Sequence, residues 1–162
     1  MLEMTYDLSE VNKLFGEFPD AVRSATVSKV TEVLMYLERL VKQATPQGAG
    51  PAHLMQTIGP PEVTVLGDKV KGMLGTPAKY AEPVEYGTRP HFPPIEPIKY
   101  WVEKKLGLEG AEAASVAFLI ARKISKEGTE GAYMFTDTWN EHQDDINRIL
   151  DQIPENILER LQ

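Results

Sequence analysis

Between Pro19 and Pro46 the apolar positions fall at Val22, Ala25, Val30, Val33, Leu34, Leu37, Leu40, Val41 and Ala44. Intervals of three and four residues gather them on one side of a helix, with Arg23, Lys29, Glu32, Glu38, Arg39 and Lys42 mostly on the other. Asp20 is read as the N-terminal cap, and Pro46, which cannot continue a helix, sets the end. Such a helix is about 36 Å long at 1.5 Å per residue, and its stripe needs a sheet or other helices to cover it. After Pro61 the period changes to two. Glu62 to Leu66 and Lys69 to Leu74 read as strands joined by Gly67-Asp68, a two-residue turn with glycine first. That register sets Val65 opposite Val70 and Val63 opposite Gly72, with Thr64 and Lys71 on the other face. A third extended piece is read over Tyr80 to Tyr86, where Pro83 assigns it to a sheet edge or a bulge.

Two punctuated segments interrupt these elements. Residues 45–61 hold four prolines and three glycines and read as a loop. Residues 85–97 hold Pro90, Pro93, Pro94 and Pro97, each of which favours extended geometry in the residue before it. Pro97 suits the first turn of a helix carrying Ile98, Trp101, Val102 and Leu106 and ending near Gly107. A second helix is predicted from Ala111 to Lys126, turning Ala113, Ala117, Phe118, Ile120, Ala121 and Ile124 inward and stopping at Gly128. Its alanines imply close approach to a neighbouring element. A last helix from Thr136 to Ile153 is expected to bury Trp139, Ile146, Ile149, Leu150 and Ile153, with Pro154 ending or kinking it before Ile157, Leu158 and Leu161. This order predicts the α+β class: a small antiparallel sheet of three to four strands, including a hairpin at about 62–74, covered by the long N-terminal amphipathic helix, with further helices C-terminal. Residues 1–18 read as an N-terminal extension, 19–153 as one α+β domain and 154–162 as a C-terminal helical tail.

Composition narrows the function classes. With 162 residues, 42% of them apolar, the chain is long enough for one proper core. The absence of cysteine excludes disulfides, thiolate metal sites and a cysteine nucleophile. No apolar run approaches the roughly 20 residues that span a bilayer, and the first residues lack the basic and apolar regions of a signal peptide; a soluble, cytoplasmically made protein is expected. The formal net charge is −7, and residues 132–162 carry two basic groups against seven acidic ones. Without a long basic stripe, adhesion to nucleic acid through phosphate neutralisation is not expected. Lys99, Lys104 and Lys105, and Arg122, Lys123 and Lys126, are interleaved with acids and read as solvated helix faces.

Signals of chemistry are sparse. His53, His91 and His142 are far apart, and none is read as having a second histidine or a carboxylate at metal-ligand spacing. Neither a phosphate-binding glycine loop nor a Gly-x-Ser-x-Gly nucleophile turn occurs. Asp144/Asp145 and Glu82/Glu85 read as surface carboxylates. No catalytic residue, cofactor or metal is expected. The most distinctive constellation is Tyr80, Glu85, Tyr86, Gly87, Thr88, Arg89 and His91, and three readings stand beside one another. It is a pocket of a small hydrolase or lyase, with Glu85 as base, Arg89 as anion clamp and His91 as acid. Or it is structural, with Gly87 at a positive-φ turn, Glu85 and Arg89 in an internal ion pair and the tyrosines packing as rings. Or it is a proline-lined, aromatic contact loop.

The run Ala78-Lys79-Tyr80-Ala81-Glu82-Pro83-Val84-Glu85-Tyr86-Gly87-Thr88-Arg89-Pro90-His91-Phe92-Pro93-Pro94 resembles the tyrosine-alanine … valine-glutamate-aromatic-glycine-threonine block of the tail-completion (tail-component) family of long-tailed bacteriophages. Its flanks are similar too: the long first helix ending at Ala44-Thr45-Pro46 before a glycine-rich loop, the Tyr100-Trp101-Val102 helix, and Ala117-Phe118-Leu119-Ile120-Ala121-Arg122-Lys123-Ile124 followed by Gly128-Thr129. Tyr133-Met134-Phe135 stands, without the proline, where that family has a Pro-Phe or aromatic pair leading a final helix, and residues 50–58 match its loop poorly. The resemblance covers roughly residues 20–153. It implies an α+β structural virion protein, not an enzyme, that is monomeric in solution and joins a ring at the head–tail junction. The implied partners are the neighbouring connector and tail-tube proteins, with DNA passing through the ring without sequence-specific binding and no membrane role. The implied location is the virion, and the host cytoplasm during assembly. Loops 45–61 and 86–97 would dock, with Pro46, Gln47, His53, Glu85, Tyr86, Gly87, Thr88, Arg89, His91 and Phe92 as interaction residues.

Overall fold

The computed structural model describes residues 1–16, 18–46 and 54–161. In chain order its elements are β1 (Leu2–Asp7), α1 (Ser9–Phe15), α2 (Pro19–Ala44), α3 (Leu54–Thr57), β2 (Glu62–Leu66), β3 (Lys69–Leu74), α4 (Ala81–Tyr86), α5 (Ile95–Leu106), α6 (Gly110–Glu127), α7 (Met134–Glu141), α8 (Gln143–Leu150) and α9 (Ile153–Arg160). The class is α+β. These elements form two compact units, one of Met1–Gln43, Ile58–Thr76 and Phe135–Gln162, the other of Ala44–Thr57 and Pro77–Met134.

The first unit is built on an antiparallel sheet in the order β1-β3-β2. The hairpin has the expected register, with Val65 opposite Val70, Val63 opposite Gly72 and Thr64 opposite Lys71. The third strand is β1, at the head of the segment read as an extension, with Met4 opposite Gly72 and Leu2 opposite Leu74. Leu2, Met4, Val70 and Leu74 are buried, while Glu3 and Lys71 pair at 2.8 Å on the other face. The long helix α2 covers the sheet and buries Val22, Ala25, Thr26, Val30, Val33, Leu34, Leu37 and Val41. Leu40 is only half-buried and Ala44 is exposed. Gly72 lets the two layers meet: a Cβ there would stand 2.6 Å from Leu34 Cδ1 and 3.0 Å from Val30 Cγ1. Asp20 is not the cap of α2, because Pro19 already occupies the first helical position, where its missing N–H costs nothing.

Tyr80 to Tyr86 is not a strand. Residues 81–86 form α4, and Pro83 lies in its first turn, where no intrahelical bond is demanded of its nitrogen. Part of the 45–61 segment is also helical, as α3; residues 45–46 and 58–61 are irregular as read, and residues 47–53 lie outside the described residues. The expected helix over 136–153 is three pieces. It breaks at His142 (φ −111°, ψ 20°), and the Trp139 carbonyl accepts from the Gln143 side-chain amide at 2.7 Å. It breaks again at 151–152, ahead of Pro154 in the first turn of α9. Ile146, Ile153 and Ile157 are buried, but Leu158 and Leu161 are exposed.

In the second unit α5 and α6 pack as a helical pair around Val102, Ala113 and Ala117, with Ile95, Ile98, Leu108, Val116 and Ile120 against them. Gly107 ends α5 in the left-handed conformation (φ 68°, ψ 18°). Ala113, Ala117 and Ala121 form the buried stripe of α6. Phe118, expected inward, sits about 100° around the helix from Ala117 and is 48% exposed. Trp101 and Leu106 likewise face outward.

Candidate functional site

Segments 84–92 and 128–133 cross at backbone contact. Thr88 and Thr129 form an isolated antiparallel bridge, each N–H donating to the other's carbonyl at 3.0 and 3.1 Å, with their hydroxyls 2.9 Å apart. The N–H of Ala132 donates to the Val84 carbonyl at 2.8 Å, and that of Tyr133 to the Glu85 carbonyl at 3.0 Å. Three glycines make this approach possible. A Cβ on Gly87 would overlap the Thr129 carbonyl oxygen, one on Gly128 that of Thr88, and one on Gly131 that of Glu85. Gly87 and Gly128 also adopt φ of 76°, which favours glycine. Glu85-Tyr86-Gly87-Thr88 and Gly128-Thr129-Glu130-Gly131 are therefore the two halves of one structural crossing.

The crossing fixes what the surrounding side chains present. Glu85 lies near the end of α4 and is 4% exposed. Tyr86 is 61% exposed, and Arg89 and His91 stand in solvent. His91 Nδ1 lies 2.9 Å from the Arg89 carbonyl, which only accepts, so this nitrogen carries the proton. Phe92, 54% exposed, lies with its ring 6.2 Å from that of Phe118. Pro46 is exposed at the end of α2, whereas Gln47 and His53 lie outside the described residues. Glu85, Arg89 and His91 are thus divided between interior and solvent. The structural reading set Arg89 inside with Glu85; Arg89 is exposed instead. Tyr80 and Tyr86 are 44% and 61% exposed, so neither ring is buried.

A second cluster of titratable groups went unread in the sequence. At the α7–α8 break the Tyr36 hydroxyl donates to Asp145 Oδ2 at 2.7 Å, and His142 Nδ1 lies 3.0 Å from that hydroxyl and 3.3 Å from the carboxylate. Arg148 pairs with Asp145 at 2.9 Å, and the Arg39 guanidinium lies 5.6 Å from the Tyr36 ring centroid. The available signal was His-x-x-Asp, which sets the carboxylate one helical turn from the imidazole. The Tyr36 hydrogen bond, with help from His142 and Arg148, holds the Asp145 carboxyl below the ordinary carboxylate range. The same bond raises the Tyr36 phenol. Raising a phenol keeps it a neutral donor, the opposite of what activates a nucleophile or base. The cluster ties α2 to the α7–α8 junction.

Among the described residues no group of three or more His, Asp or Glu side chains gathers to hold a metal ion. None of the described helices is long and apolar enough to cross a membrane. No protein-family model, curated protein or solved structure matches the chain.

Proposed function

We propose that this chain is a structural virion protein of a tailed bacteriophage or prophage, assembling as a ring at the head–tail junction by docking loops 45–61 and 86–97 onto neighbouring connector and tail-tube proteins. One observation carries the reading. Two of the sequence blocks that resemble the tail-completion family, 84–88 and 128–129, lie far apart in the chain, and they are the two that lock together backbone to backbone. The lock holds Tyr86, Arg89, His91 and Phe92 outward on a rigid base, as a contact surface requires. A net negative ring would not grip DNA passing through it.

The alternative, a small hydrolase or lyase acting through Glu85, Arg89 and His91, has less support. A general base must reach the proton it takes, and Glu85 is buried while its two supposed partners stand in water. Electron microscopy of lysates from a phage lacking this gene tests the proposal. Full heads beside separate tails are expected; joined, infectious particles would overturn it.

A further inference from the structure

The outer faces of α6 and α9 carry complementary chemistry, and on α6 only Phe118 touches a docking loop, at Phe92. On α6, with Ala113, Ala117 and Ala121 turned inward, Phe118 and Leu119 stand 48% and 60% exposed, followed one turn on by Arg122, Lys123 and Lys126 in solvent. Lys123 reaches Glu127 only at 3.8 Å, and both are exposed, so that pair holds its cation weakly. On α9 the outward residues are Pro154, Glu155, Leu158 and Glu159, with Leu158 51% exposed. The cation of that helix, Arg160, is turned aside, donating to Asn156 Oδ1 at 2.9 Å and Ser24 Oγ at 2.8 Å. Beside Pro154 lies a cavity of about 240 Å³ lined by Glu10, Val11, Lys13, Leu14 and Phe15, with Leu14 77% exposed. It has room for one apolar side chain.

Apolar groups set among bases on α6 suit apolar groups set among acids on the α9–α1 surface, whose one cation at the cavity, Lys13, has Glu10 beside it at 3.7 Å. Neither face suits itself, because like charges repel across a self-paired contact. We infer that α6 of one molecule docks on the α9–α1 surface of a second copy of this chain, Leu119 entering the cavity beside Pro154 while Arg122 and Lys123 meet Glu155 and Glu159. The second copy is the occupant because the apolar seat and the charge complement both belong to this one sequence. The contact is heterologous: each molecule gives one surface and receives on another. It stands on charge and exposure alone and does not depend on the head–tail reading.

Sedimentation velocity on the full chain tests it, from about 10 µM to about 1 mM, the range in which small contacts dissociate. The wild type is expected to associate as concentration rises, and less so in about 0.5 M salt, where the Debye length falls to a few ångströms. The R122E/K123E variant alone and the E155K/E159K variant alone each stay monomeric. Mixed in equal amounts they associate, because the native α6 of the second meets the native α9 of the first. Leu119→Ser weakens wild-type association, and far-UV circular dichroism confirms that these surface variants fold. Wild type that stays monomeric at the highest concentration overturns the proposal. So does either charge variant associating like wild type, or a mixture that does not associate. None of these outcomes bears on whether heads and tails join in the lysate experiment.

Discussion

Replacing Gly131 by alanine isolates the backbone crossing from every other feature of the chain. Gly131 does not have a positive φ, so the substitution adds no left-handed strain. The new Cβ would overlap the Glu85 carbonyl oxygen and stand 2.8 Å from the Tyr86 carbonyl carbon and 3.0 Å from the Gly87 nitrogen. All three are backbone atoms that no rotamer change can move aside. Ordinary carbon contacts lie at about 3.5–4.0 Å, so the two segments must part by roughly 1 Å. That separation breaks the Tyr133–Glu85 and Ala132–Val84 hydrogen bonds, now 3.0 and 2.8 Å. Two such bonds at about 0.5–1.5 kcal/mol each, with overpacking of about 1–3 kcal/mol, give a loss of about 2–6 kcal/mol. For a chain of this size the melting temperature should fall by about 4–24 °C. Gly107 is the control. Its φ is 68° and a Cβ added there would meet nothing within 4 Å, so Gly107→Ala costs only the left-handed strain, about 1–2 kcal/mol. Thermal melts of both variants, with amide exchange read at Thr88, Thr129, Ala132 and Tyr133, decide the matter. A Gly131→Ala protein that melts with wild type, or above Gly107→Ala, refutes the crossing as a packed element.

Two further outcomes follow from the first unit. Leu34 is fully buried beneath Gly72, so Leu34→Ala should cost about 2–5 kcal/mol in urea unfolding with little change in slope. The Asp145 carboxyl is held down chiefly by the Tyr36 hydroxyl. Its contribution to stability is present above the unfolded carboxylate value near 3.9 and disappears as pH falls through the lower folded value. Tyr36→Phe should therefore lower stability at neutral pH and make the loss below about pH 4 shallower; identical acid limbs in urea titrations would contradict this.

The elements legible in the sequence were those where two local signals agreed. The hairpin had both alternation and a glycine-first turn, and its register is as read. The stripe of α2 and its proline boundaries also agreed. Proline misled where position within an element mattered. Pro83 marks a strand edge in one context and a helix's first turn in another, and local sequence does not choose between them. The strand β1 was visible as the alternation Leu2, Met4, Tyr6, but its partner β3 lies more than sixty residues away. At the candidate site Gly87 was read as a positive-φ position. That Gly128 and Gly131 belong to the same feature was not legible, because the pairing is long-range and each glycine alone resembles an ordinary turn. The break at His142 has no glycine or proline to announce it; its contacts to Tyr36 and Asp145 are tertiary.

The most direct test of the docking surface is joining in vitro. Full heads and separate tails from cells lacking this gene would be mixed with purified wild type or with the Tyr86→Ala/Phe92→Ala variant, and infectious particles counted. Both residues are more than half exposed, so the variant should melt with wild type. The wild type should restore infectivity and the variant should restore little. A folded variant that joins heads to tails as well as wild type, or a wild type that joins none, would contradict the account.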